Sequence, residues 1–399
     1  MLKIYLSIRW RDVLILLAIM LFVGGGVTLY RTTYGNADFE IVDALGGNIF
    51  PSAILSVATT DVEIVEPVDT PYVGNPKSLI GIKVRSRGKN SRIRIEVEPT
   101  PFYARSVSEF VLPRHRTDYI VYPDIAWDYD ALRNNQQAEP ISVIATVTLN
   151  EEEMGKRVRT FSMRSVNECL LGYMKPVGKG SKFISTRLLF AAYVNEENPM
   201  IDKVLREALN TRIVNRFQGY QGDSVQVVRQ VYALWNVLQR REFKYSSISN
   251  SSLSSNVVFA QRVRTFDDAL ASSQINCVDG SVLFASLLRA INIDPVLVRI
   301  PGHMFVGFYT DNKHSHIKFL ETTMIGDINL DDYFPAEQLD STMLGKSRSA
   351  MSRLTFDKSM EYATVRYERN RNKLLNNSAG YMFLEISKSV RSQIQSIGK

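Results

Sequence analysis

Cysteine and histidine are scarce in this chain of 399 residues, which holds two of the first, Cys169 and Cys277, and four of the second, His115, His303, His314 and His316. Two cysteines exclude a disulfide scaffold and a cysteine-rich metal site. Four histidines leave few candidates for any chemistry that needs an imidazole. No dense Lys/Arg block accompanies the net charge of +7, so no nucleic-acid partner is expected and the charge reads as a solubility feature. Neither glycine nor proline is in excess, and 45% apolar with 22% charged residues excludes collagen, coiled coil and disorder. No internal repeat is visible, and the length implies two folded units or one large one.

One long apolar run is present, Val13 to Tyr30, VLILLAIMLFVGGGVTLY. It approaches the roughly 20 residues that a spanning helix needs, is longer than a typical signal-peptide core, and lacks an A-x-A-like cleavage site after it. A retained transmembrane anchor over residues 1–35 is therefore expected. Lys3, Arg9 and Arg11 before the run against Arg31 after it predict a cytoplasmic N-terminus, with the remainder outside the inner cell membrane.

Residues 36–168 alternate with period two at Leu79–Val84, Ile93–Val97, Tyr119–Tyr122 and Ile141–Leu149, with turn clusters such as Ser86-Arg87-Gly88-Lys89-Asn90-Ser91 between them. This predicts an antiparallel, Ig-like β-sandwich of about seven short strands. His115 falls on a basic loop there. From Cys169 to residue 399 the expectation is a second, α+β domain with a C-terminal helical extension. Helical spacing covers Phe183–Val194, Met200–Thr211 and Ser224–Arg241, the last capped by Asp223 and with Val225, Val228, Val231, Leu234, Trp235 and Leu238 on one face. A mixed-charge helix is expected over Phe356–Leu375.

The chemistry concentrates after Asn276, in NCVDGSVLFASLLRAINIDPVLVRIPGHMFVGFYTD and then FLETT. An almost wholly apolar helix begins near Cys277, Asn292 and Pro295 end it, and strands follow at Val296–Ile300, His303–Tyr309 and about Ile317–Glu321. In the first helical turn the unpaired N–H groups and the positive end of the dipole favour a thiolate at Cys277. The hairpin can return His303 over the helix entrance as general base and acid, and Glu321 on the adjacent strand can orient the imidazole. A lone cysteine in an apolar helix is ordinarily a small core residue; it is the ordered combination of the three that points to a nucleophile, a base and an orienter.

The segment from about Tyr232 to Met324 resembles the transglutaminase-like superfamily of papain-type cysteine enzymes. The similarity lies in Cys277-Val278-Asp279-Gly280 at a helix start, Asn292-Ile293 after the helix, the histidine-aromatic stretch at His303, the acid before Thr322, and Phe243-Lys244-Tyr245-Ser246 ending the preceding long helix. The resemblance implies a papain/transglutaminase-like α+β fold and a Cys277, His303, Glu321 triad. Met304 and Phe305 stand where Ala-Trp is common, Glu321 where Asp is usual, and Asn292 where Gly is usual. Bacterial relatives of the superfamily are as often peptidases as cross-linkers, which leans toward hydrolysis of a polypeptide amide. The rival expectation is a catalytically inactive module of the same fold that binds peptide or cell-envelope partners.

An oxyanion would meet the Cys277 N–H and a second donor, for which Tyr245, Asn256 and Gln274 are the candidates. His314 and His316 flank Ser315 without an evident third ligand and read as an exposed turn. Cys169 reads as structural. No metal and no cofactor are expected.

Overall fold

The computed structural model describes residues 39–59, 71–75, 77–246, 255–326, 333–335, 337 and 347–398. The apolar run at 13–30, and with it the anchor expected over 1–35, lies outside the described residues. Among the described residues no helix is long and apolar enough to cross a membrane. The fold class is therefore corrected to a mixed α+β chain with no spanning helix among those residues. The longest described helix, Arg348–Leu375, carries Arg, Lys, Asp and Glu along its length, which a hydrocarbon core would not accept.

Two compact units are present and neither is continuous in sequence. The first is built from the described residues of Met1–Asp43, Val62–Asp128 and Pro140–Phe161, the second from those of Ala44–Asp61, Tyr129–Glu139 and Ser162–Lys399. No single boundary at 168 describes this division.

The first unit is made of strands β1 (Phe39–Val42), β2 (Tyr72–Gly74), β3 (Gly81–Arg85), β4 (Ser91–Val97), β5 (Ser106–Leu112), β6 (Asp118–Tyr122), β7 (Glu139–Leu149) and β8 (Glu152–Met163). They form sheets in the orders β1-β3-β6-β2 and β8-β7-β4-β5. Period two works as expected on β4 and β7: Ile93, Ile95 and Val97 are buried beside Val143, Ala145, Val147 and Leu149, while Arg92 and Arg94 face water. The pairing is not wholly antiparallel, however, because β2 runs parallel to β6, with Tyr72 opposite Ile120 and Gly74 opposite Tyr122. The expectation of a purely antiparallel Ig-like sandwich is corrected accordingly. Gly74 makes that parallel pair possible: its φ is +98°, and a Cβ there would lie 2.1 Å from the Tyr122 carbonyl oxygen.

In the second unit, β9 (Glu168–Val177) pairs with β10 (Gly180–Ser185) and with β12 (Val258–Arg262). β10 and a short 3-10 helix, Arg187–Tyr193, replace the helix expected over Phe183–Val194. Pairing with β9 overrides local periodicity here: Thr186 donates its N–H to the Leu171 carbonyl and its hydroxyl to that of Leu170. Next come α1 (Pro199–Asn210) and α2 (Ser224–Arg240), the latter capped by Asp223, whose carboxylate accepts the Gln226 N–H at 2.8 Å. Val225 is 68% exposed and burial starts at Val227, so the first turn of α2 is rotated from the predicted face. From Gln230 to Leu238 the helix is buried on all sides.

Beyond it lie β11 (Lys244–Tyr245), α3 (Phe266–Ser272), β13 (Gln274–Ile275), α4 (Cys277–Ala290), β14 (Pro295–Ile300), β15 (His303–Tyr309), β16 (Ile317–Leu320), α5 (Arg348–Leu375) and β17 (Met382–Glu385). The last four strands form an antiparallel sheet in the order β16-β15-β14-β17. α4 and α5 both pack on this sheet, and β14 and β15 are almost continuously apolar and buried, as strands covered on both faces must be. Val296, Val298, Phe305 and Phe319 meet Ala363, Tyr367 and Leu374 of α5 in one cluster. Within it Phe319 stacks on Tyr367 at 4.1 Å and meets Phe305 edge-on at 5.9 Å.

Truncating Phe319, which is 2% exposed, removes the ring that joins α5 to the sheet. Phe319→Ala is expected to cost about 3–5 kcal/mol in urea denaturation. Val107→Ala on β5, where the side chain is half exposed, should stay within about 0.5 kcal/mol of the parent protein.

Candidate active site

The helix that carries Cys277 starts where it does because Asn276 caps it. The Asn276 side chain accepts the N–H groups of Val278 and Asp279, each at 2.8 Å, and Asp279 reaches back to the Asn276 N–H, completing a capping box. Asp279 is also tied to Arg264, which donates its backbone N–H at 2.8 Å and its guanidinium at 2.7 Å. Burial pushes the Asp279 carboxyl up, and the Arg264 and Asn276 donors work against this. At the far end, Asn292 takes φ +57°, and Asn292 and Ile293 donate their N–H groups to Arg289 and Leu288 in a Schellman motif.

Cys277, the first residue of α4, is a partly accessible free thiol. His303 opens β15 directly after the Pro301-Gly302 turn, where Gly302 has φ +75°. Glu321 follows the last residue of β16 and caps the 3-10 helix Thr322–Ile325, so the third group stands just past a strand end. The Glu321 carboxyl is fully buried. Its Oε2 lies 2.6 Å from His303 Nε2, and its Oε1 accepts the Thr323 hydroxyl at 2.7 Å and the Thr323 N–H at 3.2 Å. With Nε2 engaged by Glu321, Nδ1 is the ring nitrogen left to interact with Cys277, which acts on the imidazole together with Glu321. The three groups named from the sequence are thus brought together, with His303 and Glu321 joined by a direct hydrogen bond.

Burial alone would lower the imidazole pKa. The hydrogen bonds to Cys277 and Glu321, together with their charges, outweigh it and bring His303 up to about 9. Behind the imidazole, Phe305 lies at 6.4 Å between ring centres and 28° between planes. It continues the aromatic column through Phe319 to Tyr367 of α5.

Of the oxyanion candidates, Tyr245 is brought to the site. β11 pairs in parallel with β13, the strand that leads into Cys277, and the phenol is raised above its ordinary value first by burial and then by the negative charge of Cys277 and Glu321. Asn256 sits exposed in the bend before β12. Gln274 is exposed and held through its backbone, its carbonyl accepting from Arg264 at 3.0 Å.

Sequence reasoning did not single out Thr323, Tyr333, Arg264 or Arg299. Tyr333 has its hydroxyl 3.4 Å from Thr323 Oγ1. Arg299 on β14 has its guanidinium value lowered by burial and raised in part by Cys169 and Cys277. Only the cap, Asn276 three residues before Asp279, had a local signature.

Cys169 on β9 is fully buried and free, and burial pushes its thiol well up. His115 is exposed. His316 is exposed beside Asp311, whereas His314 stacks on Tyr309 at 4.0 Å and pairs with Asp294 at 3.0 Å, so half of the predicted exposed turn is packed. Among the described residues no group of three or more His, Cys, Asp or Glu side chains could hold a metal ion. Compared with known proteins, the chain matches no family model and no curated protein.

Two expectations follow from this geometry. A Cβ at Gly280 would lie 2.7 Å from Thr322 Oγ1 and 3.1 Å from Ile275 Cδ1. Thr322 is fully buried and has no room to turn away, so the clash outweighs the roughly 1 kcal/mol that alanine gains in a helix. Gly280→Ala should destabilise the protein by about 1–2 kcal/mol in urea.

The second concerns pH. An imidazole raised from 6.5 to about 9 contributes stability that is complete below pH 6.5 and is lost as pH climbs through 9. The loss is on the order of 3 kcal/mol. Urea midpoints between pH 6 and 10 should show it, and Glu321→Gln should flatten the profile.

Proposed function

We propose that this protein is a transglutaminase-like thiol enzyme that hydrolyses an amide bond of a polypeptide through a Cys277 thioester. The observation that carries this reading is an imidazole held by a buried carboxyl, His303 Nε2 to Glu321 Oε2 at 2.6 Å, and acted on by the thiol at a capped helix start, Cys277. A structural cysteine has no need of an imidazole held in this way; Cys169, fully buried with its thiol pushed well up by burial, is the contrast within the same chain. The order of the motif residues, similar to that of the superfamily, supports the same assignment.

In this reaction the thiol proton passes to His303 Nδ1, and Sγ attacks the carbonyl carbon of the scissile amide. The developing oxyanion is met by the Cys277 N–H, which as the first N–H of α4 has no intrahelical acceptor, and by the Tyr245 hydroxyl. The tetrahedral species collapses as His303 returns its proton to the leaving nitrogen, breaking the C–N bond, releasing the amine and leaving the thioester. Water then gives a proton to His303 as it attacks the thioester carbon; the C–S bond breaks and Sγ takes that proton back from His303, so that the carboxylic acid is released and the free thiol regenerated. Glu321 fixes the ring orientation throughout and stabilises the imidazolium.

Iodoacetamide at pH 7 tests the first requirement. Cys277 should alkylate about tenfold or more faster than an ordinary cysteine, which is only a few per cent thiolate at that pH, and His303→Ala should abolish the excess. Cys169 should remain unlabelled until the protein is unfolded. Ordinary reactivity at Cys277, unchanged in a folded His303→Ala variant, would sink the enzyme reading in favour of a binding module.

A further inference from the structure

The Glu321 carboxyl has two oxygens and only one faces His303. Among the described residues its other oxygen is held by Thr323 alone, through both the N–H at 3.2 Å and the hydroxyl at 2.7 Å. Thr323 is itself 4% exposed, so no water can replace its hydroxyl without opening the site. Because the one Thr323 hydroxyl proton is committed to Glu321, the contact of Thr323 Oγ1 with Tyr333 is donated by the Tyr333 hydroxyl, at 3.4 Å. Tyr333 is in turn braced edge-on by Tyr362 of α5 at 5.1 Å. The direction of every bond is thereby fixed, from Tyr333 to Thr323 to Glu321, with His303 donating to the opposite carboxyl oxygen.

We infer that Thr323 is the positioning residue of this site, its hydroxyl and N–H clamping Glu321 Oε1 so that Oε2 stays on His303 Nε2, with Tyr333, packed against Tyr362 of α5, bracing the clamp. The inference rests on the thiol-enzyme reading for its catalytic meaning, but the clamp itself acts on the imidazole whether or not the thiol reacts.

A glutamate carries one more rotatable bond than an aspartate, so its carboxyl can turn away from a histidine more easily. Backbone capping alone does not prevent this: the Thr323 N–H fixes one oxygen at a distance but leaves the plane of the carboxyl free to tilt. The hydroxyl supplies the second donor that sets the plane. Thr323→Val would keep the volume and the N–H and remove the hydroxyl, both as donor to Glu321 and as acceptor from Tyr333, leaving Oε1 underbonded in a buried site. Serine would restore it. The titratable groups acting on the imidazole are Glu321 and Cys277, with Tyr245 acted on in turn by those two; of these Thr323 bonds to Glu321.

The test uses Thr323→Val, Thr323→Ser and Tyr333→Phe in the full chain, each first compared with the parent by circular dichroism and urea midpoint. Two quantities are read: the His303 titration by NMR, and the iodoacetamide rate at Cys277 as a function of pH. For Thr323→Val the His303 midpoint is expected to fall by one pH unit or more from about 9, with about a tenfold loss of Cys277 rate at pH 7. Thr323→Ser should recover both to within about twofold, and Tyr333→Phe should give a smaller shift of the same sign. A folded Thr323→Val protein with the parent His303 midpoint overturns the inference, as does failure of serine to rescue. If Cys277 reacts ordinarily in the parent protein while the His303 midpoint still falls in Thr323→Val, the clamp stands and it is the enzyme reading that fails.

Discussion

A carboxyl group with no accessible surface must find all its hydrogen bonds inside the protein, and the second unit is organised around that demand at Glu321. One oxygen is met by the imidazole at the start of β15, the other by Thr323 two residues on. Both partners arrive because β16 pairs with β15 in a fixed register, Val306 opposite Leu320, which ends the strand beside the His303 end of the sheet. Slipping this register by one residue would send Phe319 away from α5 and Glu321 away from His303 together. Packing of the aromatic column and placement of the acid are thus one structural decision.

The thiol is delivered to the same place by a separate route. Asn276 and Asp279 define the first turn of α4, Arg264 pins that turn from the segment before α3, and Gly280 lets it lie against Thr322 without a side chain between. The Arg264 and Asp279 pair is largely buried, where removing one partner leaves an uncompensated charge and is costly. Helix start and acid-bearing loop are therefore in direct contact, and small shifts at Gly280 or Thr322 bear on the site as strongly as changes to the reactive groups themselves.

The two residues after the histidine are accounted for by this core. Met304 and Phe305 are both fully buried, and Phe305 stands between His303 and Phe319 in the column that runs to Tyr367. The residue backs the imidazole with an apolar face while contributing to the cluster under α5. A bulkier indole at that position would have to displace Phe319 or Ala363 in a cluster already filled.

Local information in the sequence determined α4 from near Cys277 to Asn292, the hairpin of β14 and β15, the mixed-charge helix α5 from Phe356 to Leu375, and the alternating strands β4 and β7, because in each the period of apolar residues and the turn chemistry agree. It also named Cys277, His303 and Glu321, whose order along the chain is a local pattern. What it could not determine is what depends on distant partners. The Phe183–Val194 segment has helical spacing but becomes a strand and a 3-10 turn because β9 offers hydrogen bonds to Thr186. Val225 was assigned to a buried face that the packing of α2 leaves in water. The parallel pairing of β2 with β6 carries no local sign at all. The same holds at the site: Arg264 and Thr323 acquire roles only when the tertiary fold sets their donors beside buried carboxyl oxygens, and Tyr333 when it is set beside the Thr323 hydroxyl. Satisfying a buried polar atom is a condition on the finished interior, and a residue's own neighbours in sequence do not reveal which atoms will be buried.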